Sequence, residues 1–165
     1  MTRKFDKIVE NCGEETLEIG GEIFLNETVS DKGIQCSLLG AVIFSKIDFE
    51  DIDFTGSNFI NCEFRNCNFK DVIFRKCELW NPTFENCRIE RCNLTRANFT
   101  KGSFQNCVFI NSNLNASGFS EFEFIETEFS DNNLDFIIAR SVKVSKLNSC
   151  TEIEESINFG NFLKI

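Results

Sequence analysis

The stretch that decides the fold runs from Leu39 to Leu134, and residues 39–68 of it read LGAVI-FSKID-FEDID-FTGSN-FINCE-FRNCN. Every fifth residue of the whole stretch is large and apolar. The 20 positions concerned hold 14 Phe, 5 Leu and 1 Ile, and no polar residue interrupts them. The same period continues more weakly upstream, at Ile19, Phe24, Val29 and Ile34. A strict internal period of this kind is typical of repeat architectures, in which each unit packs on its neighbours.

A period of five residues excludes the two regular alternatives. Around an α-helix, successive large residues would lie roughly 140° apart, so they would form no stripe. In a straight strand, side chains alternate between the two faces, so every second large residue would point into solvent. The chain must therefore bend once in each repeat, and each bend must correct the alternation. Short strands joined by regular corners predict a solenoid.

A second pattern lies two residues before each large residue, on the same face of the strand. Of these 19 positions from 42 to 132, 14 hold small or modest residues, and the exceptions are Ile47, Ile52, Pro82, Phe122 and Asn132. Large and small residues that share one inner face fill a narrow core without overpacking. Six cysteines occupy the small positions, where a free thiol behaves as a compact hydrophobe: Cys62, Cys67, Cys77, Cys87, Cys92 and Cys107. We expect reduced, structural thiols, although a disulfide within the column Cys67, Cys87 and Cys107 stays open.

These patterns resemble the pentapeptide-repeat family, whose motif is a small residue, Asp or Asn, Leu or Phe, and then two variable residues. Residues 92–96 (CNLTR) and 97–101 (ANFTK) match the motif directly. The resemblance covers about 100 residues. It implies an all-β fold, a right-handed quadrilateral parallel β-helix with four pentapeptides per coil and capped ends.

Residues 20 apart would stack in such a coil at the usual strand spacing of about 4.8 Å. The expected column of the structural core is Phe44, Phe64, Phe84, Phe104 and Phe124. On the outside, the same register predicts ladders of amide side chains, at Asn66, Asn86 and Asn106 and at Asn93, Asn113 and Asn133. It also predicts a column of alternating charge, at Glu50, Lys70 and Glu90.

The period divides the chain into three predicted segments. Residues 1–38 form an N-terminal cap and an irregular first coil, residues 39–147 form the pentapeptide-repeat β-helix, and residues 148–165 form a C-terminal cap or tail. Open ends need covers because they expose the core and unpaired backbone groups. Residues 151–156 (TEIEES) predict a short C-terminal helix. The tail either folds over the last coil or joins two molecules in a homodimer.

The composition offers little for catalysis. The chain has no His and no Tyr, which removes the commonest general base and every Ser–His or Cys–His nucleophile pair. It has no Cys-x-x-Cys motif and no Gly-rich phosphate loop. We therefore expect no catalytic residue, no cofactor and no metal site, and a protein that is not an enzyme. No apolar run approaches the roughly 18–20 residues of a membrane span and no signal peptide is recognisable, so we expect a cytoplasmic protein without membrane contact.

The net charge of −9 argues against nucleic acid as a partner, because phosphate binding needs a basic surface. The resemblance implies a different use of acidity, since the family's best-known members mimic DNA and bind type II topoisomerases such as gyrase. The charge is banded, however, with −7 on residues 1–53, +3 on residues 54–101 and −5 on residues 102–165. The acidic residues that would form a mimic surface are Asp48, Glu50, Asp51, Asp53, Glu121, Glu123, Glu126, Glu128 and Asp131.

The rival hypothesis is an inhibitory, immunity or scaffold protein that binds another protein, such as a toxin or a DNA-acting enzyme, through a local patch. Trp80 is the single Trp of the chain and occupies an outward position, 20 residues after Ile60. Trp and Arg are enriched at the centres of protein interfaces. The predicted partner surface is Trp80, Ile60, Lys76, Arg96 and Lys101. The alternatives are that Trp80 packs over a neighbouring side chain or under the N-terminal segment, and that the rod is a spacer.

Overall fold

The computed structural model describes residues 4–12 and 16–163 of the chain. The described residues contain two helices, α1 (Phe5–Cys12) and α2 (Gly160–Leu163). Between the helices lie 18 strands, most of them three residues long: β1 (Glu18–Gly20), β2 (Ile23–Gly33), β3 (Leu38–Gly40), β4 (Ile43–Asp53), β5 (Asn58–Ile60), β6 (Glu63–Arg65), β7 (Asn68–Lys70), β8 (Glu78–Trp80), β9 (Thr83–Glu85), β10 (Arg88–Glu90), β11 (Asn98–Thr100), β12 (Ser103–Gln105), β13 (Val108–Ile110), β14 (Gly118–Ser120), β15 (Glu123–Ile125), β16 (Glu128–Ser130), β17 (Ile138–Lys146) and β18 (Ser149–Ser156).

The strands pair in parallel with a constant offset of 20 residues. Ile19 pairs with Leu39, Leu39 with Phe59 and Phe59 with Leu79, and the series continues to Ala139. Five-residue repeats and a 20-residue coil give four sides. We name the sides after their large inner residues: face A carries 19, 39 and so on to 139, face B 24 to 144, face C 29 to 129 and face D 34 to 134. The predicted all-β, four-sided parallel β-helix with four pentapeptides per coil is confirmed.

The bend that the period requires is a single residue with positive φ. It recurs at every fifth position from Gly21 to Ser141, with φ between 47° and 72°. Only Gly, and next to it Asn and Asp, adopts this conformation readily, because a β-carbon crowds the following carbonyl. Eleven of the 23 non-glycine residues concerned are Asn or Asp. This left-handed residue turns the chain by one corner and returns the next large side chain to the inside.

The large residues form the inner columns that the register predicts. Phe44, Phe64, Phe84, Phe104 and Phe124 lie in one column, in which successive ring centroids are 4.5–5.7 Å apart. Rings from neighbouring faces meet these columns edge-on, as Phe104 meets Phe109 at 4.9 Å and 87°. Offset and edge-to-face contacts of this kind are worth about 0.5–1.5 kcal/mol per pair beyond the burial of the rings. The interior is therefore filled by aromatic contacts along and across the axis.

The small inner positions carry hydrogen-bond donors. Cys62, Cys77 and Cys87 donate their thiol hydrogens to backbone carbonyl oxygens 23 residues earlier, over 3.0–3.3 Å. Thr127 makes the equivalent bond with its hydroxyl group, over 3.1 Å. All eight cysteines whose side chains the structure describes are free thiols. Burial raises the pKa of the Cys77 and Cys92 thiols to about 12, so these groups stay protonated in the core.

One column of the small positions departs from the pattern for a steric reason. Pro82 points inward, and a β-carbon at Gly102, one coil further on, would lie 2.2 Å from its carbonyl oxygen. Only glycine fits there. In the next coil Phe122 takes the small position and is fully buried, and its ring contacts Phe104 at 5.3 Å. In the irregular column of Pro82, Gly102 and Phe122, the missing side chain at Gly102 thus leaves room for Pro82.

Both ends of the solenoid are covered. At the N-terminal end, Phe5 of α1 is fully buried against Phe24 and Phe44 at ring distances of 5.1 and 5.0 Å. The Glu27 carboxylate accepts the backbone N–H groups of Phe5 and Asp6, both over 3.2 Å, and so caps the helix N-terminus. At the C-terminal end, β18 pairs antiparallel with β17, and the buried Phe159 packs on Phe124.

Three expectations about local structure need correction or restatement. Residues 151–156 are not helical but belong to β18, which pairs antiparallel with β17 and buries Ile153. The helix of this region, α2, begins at Gly160 instead. The predicted boundary at residues 38 and 39 lies inside β3, and the boundary at residues 147 and 148 lies in the turn before β18. Residues 1–3, 13–15, 164 and 165 of the predicted end segments lie outside the described residues.

The predicted amide ladders divide into two kinds. Asn86 donates to the Asn66 side chain over 3.4 Å, and Asn81 donates to Asn61 over 2.9 Å, so bonds between coils do occur. The column at positions 93, 113 and 133 behaves differently: each side-chain oxygen accepts the backbone N–H two residues further on, over 3.0 Å. These asparagines form Asx turns that fix the corner after face D.

Candidate interaction surfaces

Face A brings together three of the five residues of the predicted partner surface. Trp80 pairs in register with Ile60, and their side chains stand next to each other on neighbouring coils. Trp80 is 49% exposed and Ile60 is 40% exposed. The Lys101 ammonium lies 5.0 Å from the centroid of the Trp80 ring, in a cation–π contact, and 3.9 Å from Glu121. With half of its surface exposed, Trp80 is not covered by another segment of the described chain.

The other two predicted residues lie elsewhere on this face. Lys76 and Arg96 are the positive-φ residues of the corner between faces D and A, before strands β8 and β11, whereas Trp80 ends β8. A three-residue strand of about 10 Å therefore separates them from Trp80. The five residues therefore lie on one face, but Lys76 and Arg96 lie at its opposite edge from Trp80. The partner surface that they would form together stays a prediction.

A shallow cavity of about 520 Å³ lies on face A beside Ile60, towards the N-terminal end. Its floor consists of small residues, Gly20, Gly40 and Ala41, and Leu38 forms one wall. Leu38 is 39% exposed. The outward column that contains Trp80 reads Gly20, Gly40, Ile60, Trp80, so two empty positions are followed by two large ones. Face A therefore carries an apolar ridge next to a largely apolar hollow, whose lining also includes Glu18 and Asn61.

The predicted acidic surface is divided in two by the structure. Asp48 and Glu50 lie on face C in the second coil, with Asp51 and Asp53 at the corner and on face D. Glu128 occupies the same column as Asp48, but four coils away, at a distance of roughly 19 Å. Glu121, Glu123 and Glu126 lie on two other sides of the rod. The nine residues do not form one continuous surface.

Most of the acidic residues of one side of the rod lie on face C and its following corner. The outward positions of face C and its following corner hold eight acidic and three basic residues, and the acidic ones are Asp31, Asp48, Glu50, Asp51, Asp71, Glu90, Glu128 and Asp131. The basic ones are each paired: Lys70 with Glu50 at 3.6 Å, Arg88 with Glu90 at 3.0 Å and Arg91 with Asp71 at 2.8 Å. Acidic side chains are thus concentrated on one side of the coil. Net charges summed over sequence segments do not show this distribution.

Two carboxylates of this region are held in their charged form. Arg91 donates two hydrogen bonds to Asp71, each of 2.8 Å, and these bonds keep the pKa of Asp71 below its ordinary value. Partial burial acts to raise the pKa of Asp53, but hydrogen bonds from Thr55 and Gln35 outweigh it, and the pKa is lowered overall. Asp53 accepts the backbone N–H of Thr55 over 2.8 Å, so its function is to fix a corner.

Within the described residues, no group of three or more His, Cys, Asp and Glu side chains is placed to hold a metal ion. No described helix combines the length and the hydrophobicity that crossing a bilayer requires. The apolar residues Phe136, Ile138 and Ile157 are 53–70% exposed near the C-terminal cap. The predicted homodimer through this end stays a prediction.

Sequence reasoning missed the hollow on face A. Gly20, Gly40 and Ala41 carry no side chain that attracts attention, and Leu38 belongs to an ordinary repeat. The signal was nevertheless present, because positions 20, 40, 60 and 80 fall in one column once the 20-residue coil is known. Reading each outward column, rather than single large residues, would have found it.

Comparisons with known proteins agree with this architecture. A family model described as pentapeptide repeats (9 copies) matches residues 34–78, and a second, described as pentapeptide repeats (8 copies), matches residues 83–115. Residues 34–78 and 83–115 of the chain are thus pentapeptide repeats. No curated protein matches the chain significantly.

Among solved structures, the chain is similar to HetL, a pentapeptide-repeat protein involved in heterocyst differentiation regulation from the cyanobacterium Nostoc sp. strain PCC 7120, with 10% identity, a TM-score of 0.33 and 79% of each chain covered. It is also similar to full-length QnrB1, a plasmid-mediated fluoroquinolone resistance protein, with 16% identity, a TM-score of 0.27 and coverage of 78% of this chain and 84% of that one. Rfr23 from the cyanobacterium Cyanothece 51142 gives 13% identity, a TM-score of 0.28 and coverage of 71% and 83%. Scores this low carry no information on function.

Proposed function

We propose that the chain is a non-enzymatic, cytoplasmic binding protein that recognises another protein through face A, as an inhibitor, an immunity protein or a scaffold. The observation that carries this proposal is the ridge of Trp80 and Ile60 beside the hollow floored by Gly40. Trp is the residue type most enriched at interface hot spots, which lie in apolar pockets surrounded by polar rims. Such a rim is supplied by Asn61, Asn81, Lys101 and Glu121.

The arrangement of face A suits recognition by shape more than by charge. Its three-residue strands are held on both sides by neighbouring coils, so the ridge is presented on a rigid sheet. A rigid contact surface loses little conformational entropy on binding. The flanking Lys101 and Glu121 are paired with each other and leave the face nearly neutral. The partner surface that fits is apolar, with polar groups at its margin.

The experiment is affinity capture from the source cell's lysate with the full chain as bait, at low and high salt. Trp80→Glu is the test variant, and Leu25→Glu is the matched control, because Leu25 is a similarly exposed apolar residue on face B. We expect a partner that resists high salt, is lost with Trp80→Glu and is retained with Leu25→Glu. Retention of the same partner by folded Trp80→Glu protein would contradict the proposal.

A second candidate function, mimicry of DNA towards a type II topoisomerase, is favoured by the acidic excess of face C. Its magnitude is small for that role. Duplex DNA carries one charge per about 1.7 Å, or about 17 charges over the roughly 29 Å of six coils, whereas the whole chain carries −9. Capture of a topoisomerase subunit that is released by salt and lost with Asp48→Lys and Asp51→Lys, but kept with Trp80→Glu, would establish this alternative.

A further inference from the structure

Face A is complementary to itself. The ridge residue Trp80 stands two coils above Gly40, the floor of the hollow, and Ile60 lies midway between them. A two-fold axis that runs parallel to the strands through Ile60 therefore places Trp80 of one copy opposite Gly40 of the other. We propose that, at high concentration, two copies of this chain pair face to face through face A, each inserting Trp80 into the hollow of its partner.

The hollow has the size and chemistry for this insertion. Its volume of about 520 Å³ is ample for one indole ring, and the hollow is open to solvent on its outer side. Gly40 has no atom within 4 Å of the position that a β-carbon would take, so the space above it is open. Leu38 and Ile60 provide apolar walls for an indole ring. Insertion would shield the exposed part of the Trp80 side chain from water.

The charges of the face agree with this register. The same axis opposes Glu18 to Asn98 and Glu78 to Leu38. The Asn98 amide donates one hydrogen to Glu78 of its own chain over 2.8 Å, which leaves the second for Glu18 of the other copy. Lys101 is opposed to Gly21. No two like charges of the described residues meet in this arrangement. An axis through Trp80 instead would oppose Glu78 to its own copy, and like charges facing each other across an interface cost free energy. The register that the ridge and hollow define thus keeps like charges apart.

The area of contact sets the strength of the pair. The overlap spans five coils, about 24 Å, by a strand width of about 10 Å, which corresponds to on the order of 300–500 Å² of accessible surface on each copy. Stable interfaces bury about 800 Å² per partner, so this contact belongs to the weak, reversible class. We therefore expect pairing only at high protein concentration, not a stable dimer.

Such a pair would bury the surface that we assign to partner recognition. This consequence rests on the function proposed above: self-association would hold the protein in a masked form, and a tighter partner would displace the second copy. The pairing itself concerns the isolated chain and is tested without any partner. Loss of partner capture and loss of self-association are therefore separate results.

The test is sedimentation velocity of the full chain from roughly 1 to 500 μM, with the emission of Trp80 recorded on the same samples. Because Trp80 is the single Trp, its emission reports on face A alone. We expect the mass to rise from that of an 18.9 kDa monomer towards twice this value. The emission should shift to shorter wavelength with the same midpoint, as the indole moves from water into an apolar site.

Three variants decide which surface pairs. Gly40→Leu fills the hollow from outside without an internal clash, and Trp80→Glu removes the knob, so both should stay monomeric at the highest concentration while unfolding at the wild-type denaturant concentration. Leu25→Glu, the matched control on face B, should dimerise like the wild type. A wild-type chain that is monomeric throughout would overturn the proposal. So would dimers that survive Gly40→Leu and Trp80→Glu but are lost with Ile157→Glu, since Ile157 lies at the C-terminal cap.

Discussion

Face A and face C are built on the same repeat and turn opposite properties to solvent. Behind each face lies a column of large apolar residues and a column of small ones, and both pair in the same 20-residue register. Outside, the first coils of face A carry Gly20, Gly40, Ile60 and Trp80 in one column. Face C and its following corner carry eight acidic residues and three paired cations, beside the apolar Val108 and Ile110. In this fold the inner positions determine the architecture and leave the outer positions free to differ. Function must therefore be sought in the outward columns.

The largest effect should come from the shared interior. Phe84 is 3% exposed and stacks between Phe64 and Phe104 at 4.5 and 4.8 Å. Phe84→Ala should lower the free energy of unfolding by about 3–5 kcal/mol, through lost burial and the cavity left behind. Urea denaturation followed by circular dichroism measures this. Because each coil contacts only its neighbours, faces A and C should lose structure in one transition. A loss below about 1 kcal/mol would contradict the assignment of the column.

The buried thiols should make the shared interior sensitive to alkali. Burial raises the pKa of Cys77 and Cys92 to about 12, above the value of 9.0 for a free thiol. Since the folded state holds these protons more tightly, its stability is complete below pH 9 and falls as pH rises towards 12. The expected slope is about 1.4 kcal/mol per pH unit for each thiol, or roughly 1–3 kcal/mol in total at pH 10.

Denaturation midpoints measured from pH 8 to pH 10.5 check this expectation. The matched control is the variant Cys77→Ala with Cys92→Ala, which should be less stable at pH 8 but should show a flatter pH dependence. Equal slopes in the two proteins would assign the alkaline loss to other groups. Ellman's reagent offers a second readout, because Cys36 and Cys150 are exposed and the six inner thiols of the described residues should react only after unfolding.

The sequence predicted the inside of this molecule far better than the outside. One apolar residue in every five was enough to predict a solenoid of short strands, because each bend must correct the alternation of side chains. The four sides of each coil followed from the resemblance to the pentapeptide-repeat family. The position of the bending residue was missed, although Asn66, Asn86 and Asn106 occupy it. Those asparagines were interpreted as ladders, when their tolerance of positive φ is the larger reason for their position.

The outer surfaces could not be predicted from charge runs along the chain. A segment of 48 residues contains more than two coils, so Arg75 and Arg88 belong to different faces although both fall in the basic band. Lys76 and Arg96 lie across the width of face A from Trp80, a separation that their closeness in sequence does not show. The helix expected at 151–156 was wrong because β17 offered an unpaired edge, and tertiary pairing outweighs a weak local preference.

Salt should change the contribution of the ion pairs to stability on both faces, and this effect should be smaller than the preceding ones. On face C, Arg91 binds Asp71 through two hydrogen bonds, whereas on face A Lys101 lies 3.9 Å from Glu121. Because both pairs are exposed and screened, Arg91→Ala should lower the urea midpoint only slightly, and less at high salt than at low salt. Lys101→Ala should lower it less than Arg91→Ala does.

The same pair gives a test in acid. The pKa of Asp71 is lowered in the folded state, so the contribution of Arg91 should be present above the ordinary carboxyl pKa and lost as pH falls below about 4 and Asp71 is protonated. Urea midpoints of wild type and Arg91→Ala, measured between pH 7 and pH 3 at two salt concentrations, check both expectations. An effect of Arg91→Ala that depends on neither salt nor pH would show that its packing, not its charge, matters.

The smallest effect on stability should accompany the largest effect on binding. Trp80 is 49% exposed and contacts Lys101 across the face, so Trp80→Glu should change the free energy of unfolding by no more than about 0.5 kcal/mol. A similar change at an outward position of face C, Ile110→Glu, supplies the comparison. If Trp80→Glu abolishes partner capture while Ile110→Glu does not, the apolar column of face A carries recognition. If Trp80→Glu instead destabilises the chain by several kcal/mol, Trp80 is part of the packing, and the contrast between the two faces is structural rather than functional.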